Sequence, residues 1–408
     1  MRHKKAITKE LMARYNRATK KEKGIILDEF TALTGYNRSY SSWILKAKKG
    51  KAVGYMSTGG KRIRFVVDKR KKKKKKRERI YGHDVFVALK RIWTVFDFIC
   101  GKRLAPFMGE AVDKLEKHKE IDITLETRKK LKKISASTID RLLKPLKDRY
   151  KLGKGKKGTK PGTLLKKAIP IKTFSDWDEA KPGFVEIDLV GHDGGNSSGD
   201  FAQSLNFTDI ATCWDITVAC KNKAQVHVFE ATRKASARFP FRIAGIDSDN
   251  GSEFINAHML RYCTEKGITF TRSRAYRKND SCFVEQKNYS VVRRAVGYLR
   301  YDTEEELSIL NELYLYLGYY TNYFQPVVKL VEKTRNGSKV IKKYDVATTP
   351  YRRVLVHKDV DDKIKEELKR EYDALNPAEL KRKIARLQDK LLKLNSLKKT
   401  VERNGVSR

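Results

Sequence analysis

The chain has 408 residues, 40% of them hydrophobic, which is enough for about two to four domains with real cores and excludes a wholly disordered protein. Its 91 Lys and Arg against 49 Asp and Glu leave a net charge of +42, more than solubility requires, so a polyanionic partner is expected. There is no run of roughly eighteen apolar residues and no apolar signal core. The 5 scattered cysteines also form no closely spaced pairs. Membrane spanning, secretion, disulfides and a structural zinc site are therefore not expected, and the polyanion is expected to be nucleic acid met in the cytoplasm.

The charge is uneven, with 48 basic and 16 acidic side chains in residues 1–160 against 43 and 33 in residues 161–408. Residues 5–49 read as short helices, with Leu27, Phe30 and Leu33 before Thr34-Gly35-Tyr36-Asn37 and Trp43, Ile44 and Leu45 after it. That spacing predicts a helix-turn-helix whose second helix opens on Asn37, Arg38 and Ser39, polar side chains able to face bases or phosphates. Lys69 to Arg79 is an almost unbroken basic run, including Lys71, Lys72, Lys73 and Lys74. Such a run cannot fold alone and suits phosphate neutralisation.

A second helical block is expected over 82–150. Ile139, Leu142, Leu143 and Leu146 give its last helix a buried face and leave Thr138, Arg141 and Lys144 outward for DNA. The Lys, Gly, Thr and Pro of 151–162 mark a linker. Strands are then predicted at 184–190, 201–209, 214–219, 241–247 and 268–271, with helices at 224–239, 252–266 and 284–323, which describes a mixed α/β sheet. Asn336-Gly337 between 327–333 and 339–345 signals a hairpin in a small β module. The tail from Asp359 carries Leu380, Ile384, Leu387, Leu391 and Leu394 at helical steps, suited to a partner helix in a multimer or to packing on its own chain.

The predicted segments are a helix-turn-helix at 1–66, a basic linker at 67–80, a second helical DNA-binding region at 81–150 and a linker at 151–180. An α/β core at 181–325, the β module at 326–357 and a helical tail at 358–408 follow.

Three acidic segments carry the chemistry. Asp188 lies in the apolar strand Val185–Val190, where a lone ionised carboxylate is costly without a compensating cation. Asp249 follows a strand in the Gly-bearing turn Asp249-Asn250-Gly251-Ser252, and Glu285 opens a helix after Arg277-Lys278-Asn279-Asp280. Three carboxylates from a strand, a strand end and a helix suit two hard divalent cations, Mg²⁺ or Mn²⁺, and in-line phosphoryl transfer. Glu186 and Asp247, each two residues before a chosen acid, are the rivals. His192 stands just past the first strand as a candidate supporting group. Asn250, Lys287 and Asn288, with Arg277 and Lys278 as DNA donors, complete the candidate site.

At these residues the sequence resembles the transposases and retroviral integrases whose ribonuclease-H-like core carries an Asp, Asp, Glu triad. Asp249 and Glu285 are separated by 35 residues, the spacing of retroviral integrases and many bacterial insertion-sequence transposases. The Asp249–Phe254 turn resembles the family's second-aspartate motif. The resemblance covers roughly residues 180–325. It departs from the retroviral pattern in lacking the amino-terminal His-His-Cys-Cys module and in placing Tyr289 and Val292 where lysines follow the glutamate.

The resemblance implies Asp188, Asp249 and Glu285 as catalytic ligands of two metal ions. It also implies an enzyme that cuts 3′ ends and joins them to target DNA, and a homo-multimer holding terminal inverted repeats and target duplex together. A transposase-derived regulator without catalysis and a structure-selective nuclease are the alternative readings.

Overall fold

In the computed structural model, residues 2–46, 52–58, 61–66, 80–149, 181–249, 251, 253–272, 282–336 and 339–405 are described. Lys71, Lys72, Lys73, Lys74, Asn250, Arg277 and Lys278 lie outside them. The chain forms two compact units, Met1–Arg79 and Ile80–Arg408.

The first unit holds α1 (Arg2–Arg17), α2 (Lys20–Thr34) and α3 (Arg38–Leu45), then the antiparallel strands β1 (Ala52–Thr58) and β2 (Lys61–Val66). Leu11, Tyr15, Ile26, Leu27, Phe30 and Leu45 make its own small core. Thr19 and Glu22 cap α2 reciprocally, satisfying amides that the helix leaves unpaired. Gly35, at φ 69°, ends α2 in the left-handed conformation that glycine adopts without strain, its N–H reaching Thr31 O. α2 and α3 flank the turn at Gly35. The β1–β2 hairpin was not anticipated, although Gly59-Gly60 between its arms is a hairpin signal.

The second unit begins with α4 (His83–Val95), α5 (Gly101–Lys117), α6 (Leu125–Lys132) and α7 (Ala136–Arg149). It continues with β3 (Phe184–Gly191), β4 (Gln203–Asp209), β5 (Asp215–Cys220), α8 (Gln225–Ser236), β6 (Gly245–Ser248), α9 (Ala257–Lys266) and β7 (Thr269–Arg272). Next come α10 (Cys282–Lys287), a π-helical turn (Asn288–Arg293), α11 (Arg294–Val296) and α12 (Glu304–Phe324). The strands β8 (Leu330–Asn336) and β9 (Lys339–Tyr344) precede α13 (Pro350–Val356), α14 (Asp362–Ala374) and α15 (Pro377–Gly405).

The central sheet has the order β5-β4-β3-β6-β7. A loop at 192–202 and a shorter turn at 210–214 make β3, β4 and β5 an antiparallel meander, while crossovers containing α8 and α9 add β6 and β7 parallel to β3. Every residue of β4 and β5 is buried, so both faces of the sheet are covered.

The edge strand β5 does not offer its backbone to another chain. Asn322 bonds both N and O of Asp215, Asn311 both N and O of Ala219, and Arg238 donates to Thr217 O. These side chains replace a neighbouring strand and close an edge that invites aggregation.

The sequence reading sets 81–150, the α/β core, the β module and the tail apart, yet one apolar core runs through Val85, Leu104, Leu143, Phe207, Leu313, Tyr351 and Leu391. An amphipathic stripe records that a face is buried, but not which element buries it. The tail is the clearest case. Leu380, Ile384 and Leu391 are buried in this chain, and Leu387 and Leu394 pack against the same core. Gln388 donates to Ala295 O, Asn395 to Arg300 O, and Lys398 to Asp302 and Glu306. The stripe is thus spent within the chain, the second of the two readings that its spacing left open.

Candidate active site

Alternation along β3 puts Glu186 and Asp188 on one face of the sheet. Their roles differ. Glu186, 1% exposed, accepts hydrogen bonds from Phe283 N (2.9 Å) and Val284 N (3.1 Å), so it fastens the first turn of α10, where amides lack helical partners. That tether presents Glu285, exposed on the same turn, towards half-buried Asp188.

β6 runs parallel to β3 with Ile187 opposite Ser248, so Asp249, the next residue, emerges level with Asp188. Gly251 N donates to Asp249 Oδ1 (2.9 Å), which fixes the turn. Asp247 instead accepts from Thr271 Oγ1 (2.7 Å) inside the sheet.

The electrostatics reflect this convergence. Removal from water, then the charges of Asp249 and Glu285, push the Asp188 carboxyl up to about 7, against opposing hydrogen bonds from Leu189 N and Asn288. Burial likewise holds Asp249 above the usual carboxylate range, and Glu253 is raised by burial and by the charge of Asp249. The charges that act on Asp188 belong to carboxylates, whose hard oxygens are the donors that divalent cations such as Mg²⁺ take. Among the described residues, no three His, Cys, Asp or Glu side chains are gathered closely enough to enclose an ion.

The π turn after Glu285 has a structural consequence. Residues five apart point roughly 140° away from one another in an α-helix, but i→i+5 bonding brings them near one face. Asn288 Nδ2 accordingly donates to Asp188 Oδ2 (2.6 Å), and Arg293 donates to Gly191 O (2.8 Å), both on β3. Asn288 Oδ1 accepts from Asn206 Nδ2 (3.2 Å), and Asn206 Oδ1 from Thr217 Oγ1 (3.1 Å). Register aligns Asp188, Asn206 and Thr217 across three strands, so this polar track is built into the sheet.

Two supporting residues fall elsewhere than expected. His192 is fully buried, its Nε2 is 2.7 Å from Ser204 Oγ, and burial aided by Arg293 pushes its pKa down to about 3. It is therefore a neutral internal ring rather than a phosphate contact. Lys287 points inward, donating to Cys213 O (3.3 Å) with its ammonium 4.0 Å from buried Asp215, so it is not a surface DNA donor. Helical spacing shows neither orientation, and nothing in the sequence marks the π turn, Arg293 or Asn206.

Of the candidate DNA contacts, Asn37 caps α3 by accepting from Tyr40 N (2.7 Å), and Arg38 pairs with Asp28. Ser39, Arg141 and Lys144 are exposed, whereas Thr138 is half-buried and accepts from Arg141.

The family model of the integrase core domain matches residues 178–278. The uncharacterized protein y4rM of Sinorhizobium fredii (strain NBRC 101917 / NGR234) is 36% identical over 347 residues, covering 85% of this chain and 93% of that protein. The chain belongs to the integrase core family. Its integrase core is the ribonuclease-H-like sheet β3–β7 described above, the catalytic module of polynucleotidyl transferases.

Among solved structures, the HTLV-2 integrase catalytic core domain in complex with magnesium (dimeric form) is 13% identical, with a TM-score of 0.28 over 36% of this chain and 90% of that one. The catalytic core domain of BIV integrase is 15% identical, with a TM-score of 0.28 over 42% and 91%. No helix among the described residues of this integrase-family chain is long and apolar enough to cross a membrane.

Proposed function

We propose that this chain is a transposase that binds its element's DNA ends through basic helical surfaces, cleaves the 3′ ends by hydrolysis and joins them to target DNA by strand transfer. The observation that carries this reading is that the charges acting most strongly on half-buried Asp188 are two further carboxylates, Asp249 and Glu285. Such a cluster is costly unless a cation resides there, and its oxygen donors fit Mg²⁺ or Mn²⁺. Asp188, Asp249 and Glu285 would hold two ions, which when bound activate the attacking hydroxyl and offset charge at the phosphate.

The chain's own residues prepare that site. Asn288 orients one Asp188 oxygen, and Glu186 fixes the helix that carries Glu285. Ser39, Arg141 and Lys144 present polar and basic groups to phosphates. Two element ends must be held in one complex, so the active form is a homo-multimer on DNA.

The test uses duplexes from the flanks of the coding region and the Asp249→Asn variant. Cleavage in Mg²⁺ should disappear while end binding stays nearly intact, because the binding charge lies on other residues. A variant that cuts at the wild-type rate would show the triad to be misassigned.

A further inference from the structure

The arm formed by β8 and β9 serves neither the core nor the carboxylate site. Leu330, Val331, Ile341 and Tyr344 are exposed, as are Glu332, Thr334, Lys342 and Lys343. A two-stranded hairpin whose described side chains are exposed is marginal in water. Its charge makes this worse, since positions 330–344 carry five basic residues (Lys333, Arg335, Lys339, Lys342, Lys343) against Glu332 alone. The register sets Lys333 across from Lys342 and Glu332 across from Lys343, and the Lys343 ammonium lies 3.9 Å from the Glu332 carboxylate, the one acid of the arm.

The base of the arm, in contrast, is firmly built. Lys329 donates its backbone N–H to Asp345 Oδ1 (2.7 Å) and its ammonium to Ile210 O (2.8 Å) and Ala211 O (2.9 Å). Arg353 donates to Asp345 Oδ2 (2.8 Å) and to Val327 O (3.1 Å). Ile210 N bonds Phe184 O at the start of β3, so the arm leaves the sheet at the end away from the loop that follows Gly191.

We propose that the β8–β9 arm is a docking element for duplex DNA, its basic register neutralising backbone phosphates outside the carboxylate site. The inference rests on the DNA-processing reading given above. A hairpin anchored at its base and carrying five basic residues against one acidic one is complemented by a polyanion. A strand of 7 residues spans roughly 23 Å, and a two-stranded ribbon fits a major groove about 12 Å wide. Exposed Val331 and Ile341 then cover sugar or base edges that water otherwise occupies.

The test measures full-chain binding to a 60-base-pair duplex by fluorescence anisotropy from about 50 to 300 mM KCl, for wild type, Lys342→Gln/Lys343→Gln and Lys342→Arg/Lys343→Arg. Each lost phosphate contact reduces the slope of log affinity against log salt by about 0.9, so the Gln pair should be shallower by about two and the Arg pair unchanged. Thermal melting of both should match wild type, since neither side chain packs on the core. An unchanged slope in the Gln pair, or wild type that binds anionic vesicles or single-stranded RNA but not the duplex, would overturn the proposal. Wild-type cleavage in Mg²⁺ is recorded in parallel. No cleavage with an altered slope in the Gln pair would sink the transposase reading and leave the arm standing, while cleavage with an unaltered slope would do the reverse.

Discussion

Replacing Asn288 with alanine removes the side-chain hydrogen bond that orients the Asp188 carboxylate while leaving all three acids in place. The donor lies 2.6 Å from Asp188 Oδ2, and its own carbonyl accepts from Asn206, which holds the amide in that orientation. A hydrogen bond to a charged group contributes about 1.5–3 kcal/mol, which corresponds to roughly 10- to 150-fold. Outer partners of metal ligands lose a similar 10- to 100-fold in metal affinity or activity when mutated. Single-turnover cleavage across a Mg²⁺ titration should therefore show a rate constant reduced by one to two decades, a higher half-saturating Mg²⁺ concentration, and end binding unchanged. Wild-type rate and metal dependence in a folded Asn288→Ala protein would refute the positioning role.

Three further outcomes are expected. Because Asp188 in the metal-free fold titrates near 7, well above its unfolded value of 3.8, its protonated form favours folding at low pH and that contribution is lost as pH rises from about 4 to 7. Divalent ions should accordingly raise the melting temperature more at pH 8 than at pH 5.5, and Asp188→Asn should abolish the difference; equal metal shifts at both pH values in wild type would count against it. Leu391→Ala, at a buried site, should cost about 2–5 kcal/mol in urea unfolding without altering sedimentation of the DNA complex, because that leucine packs within its own chain. A fragment ending at Arg79 should fold and bind DNA with steep salt dependence, whereas one ending at Tyr150 should bind hydrophobic dyes such as ANS, because α4–α7 share their core with the rest of the second unit.

The sequence made much of the sheet legible, since β3 and β5 bear apolar runs, β4 alternates Leu205 and Phe207 with polar residues, and the crossover helices carry their own periodicity. The three candidate carboxylates stood out because Asp188 interrupts an apolar strand, Asp249 follows a strand in a Gly-bearing turn and Glu285 lies in the first turn of a helix. Orientation around them was not. His192 and Lys287 look like site residues in one dimension, but His192 is drawn inward by Ser204 and Lys287 by Cys213 and Asp215. Asn288 reaches Asp188 through a π turn that no spacing rule anticipates. The shared core was not legible for a related reason: α4–α7 and α15 are amphipathic, and only the fold shows that they bury those faces together.

The most direct measurement is the anomalous diffraction of Mn²⁺ in crystals of the full chain with bound DNA. Two Mn²⁺ ions about 4 Å apart, ligated by Asp188, Asp249 and Glu285, are expected. Mn²⁺ bound elsewhere on a protein that still cuts DNA, with these three carboxylates unligated, would contradict the assignment of the catalytic centre.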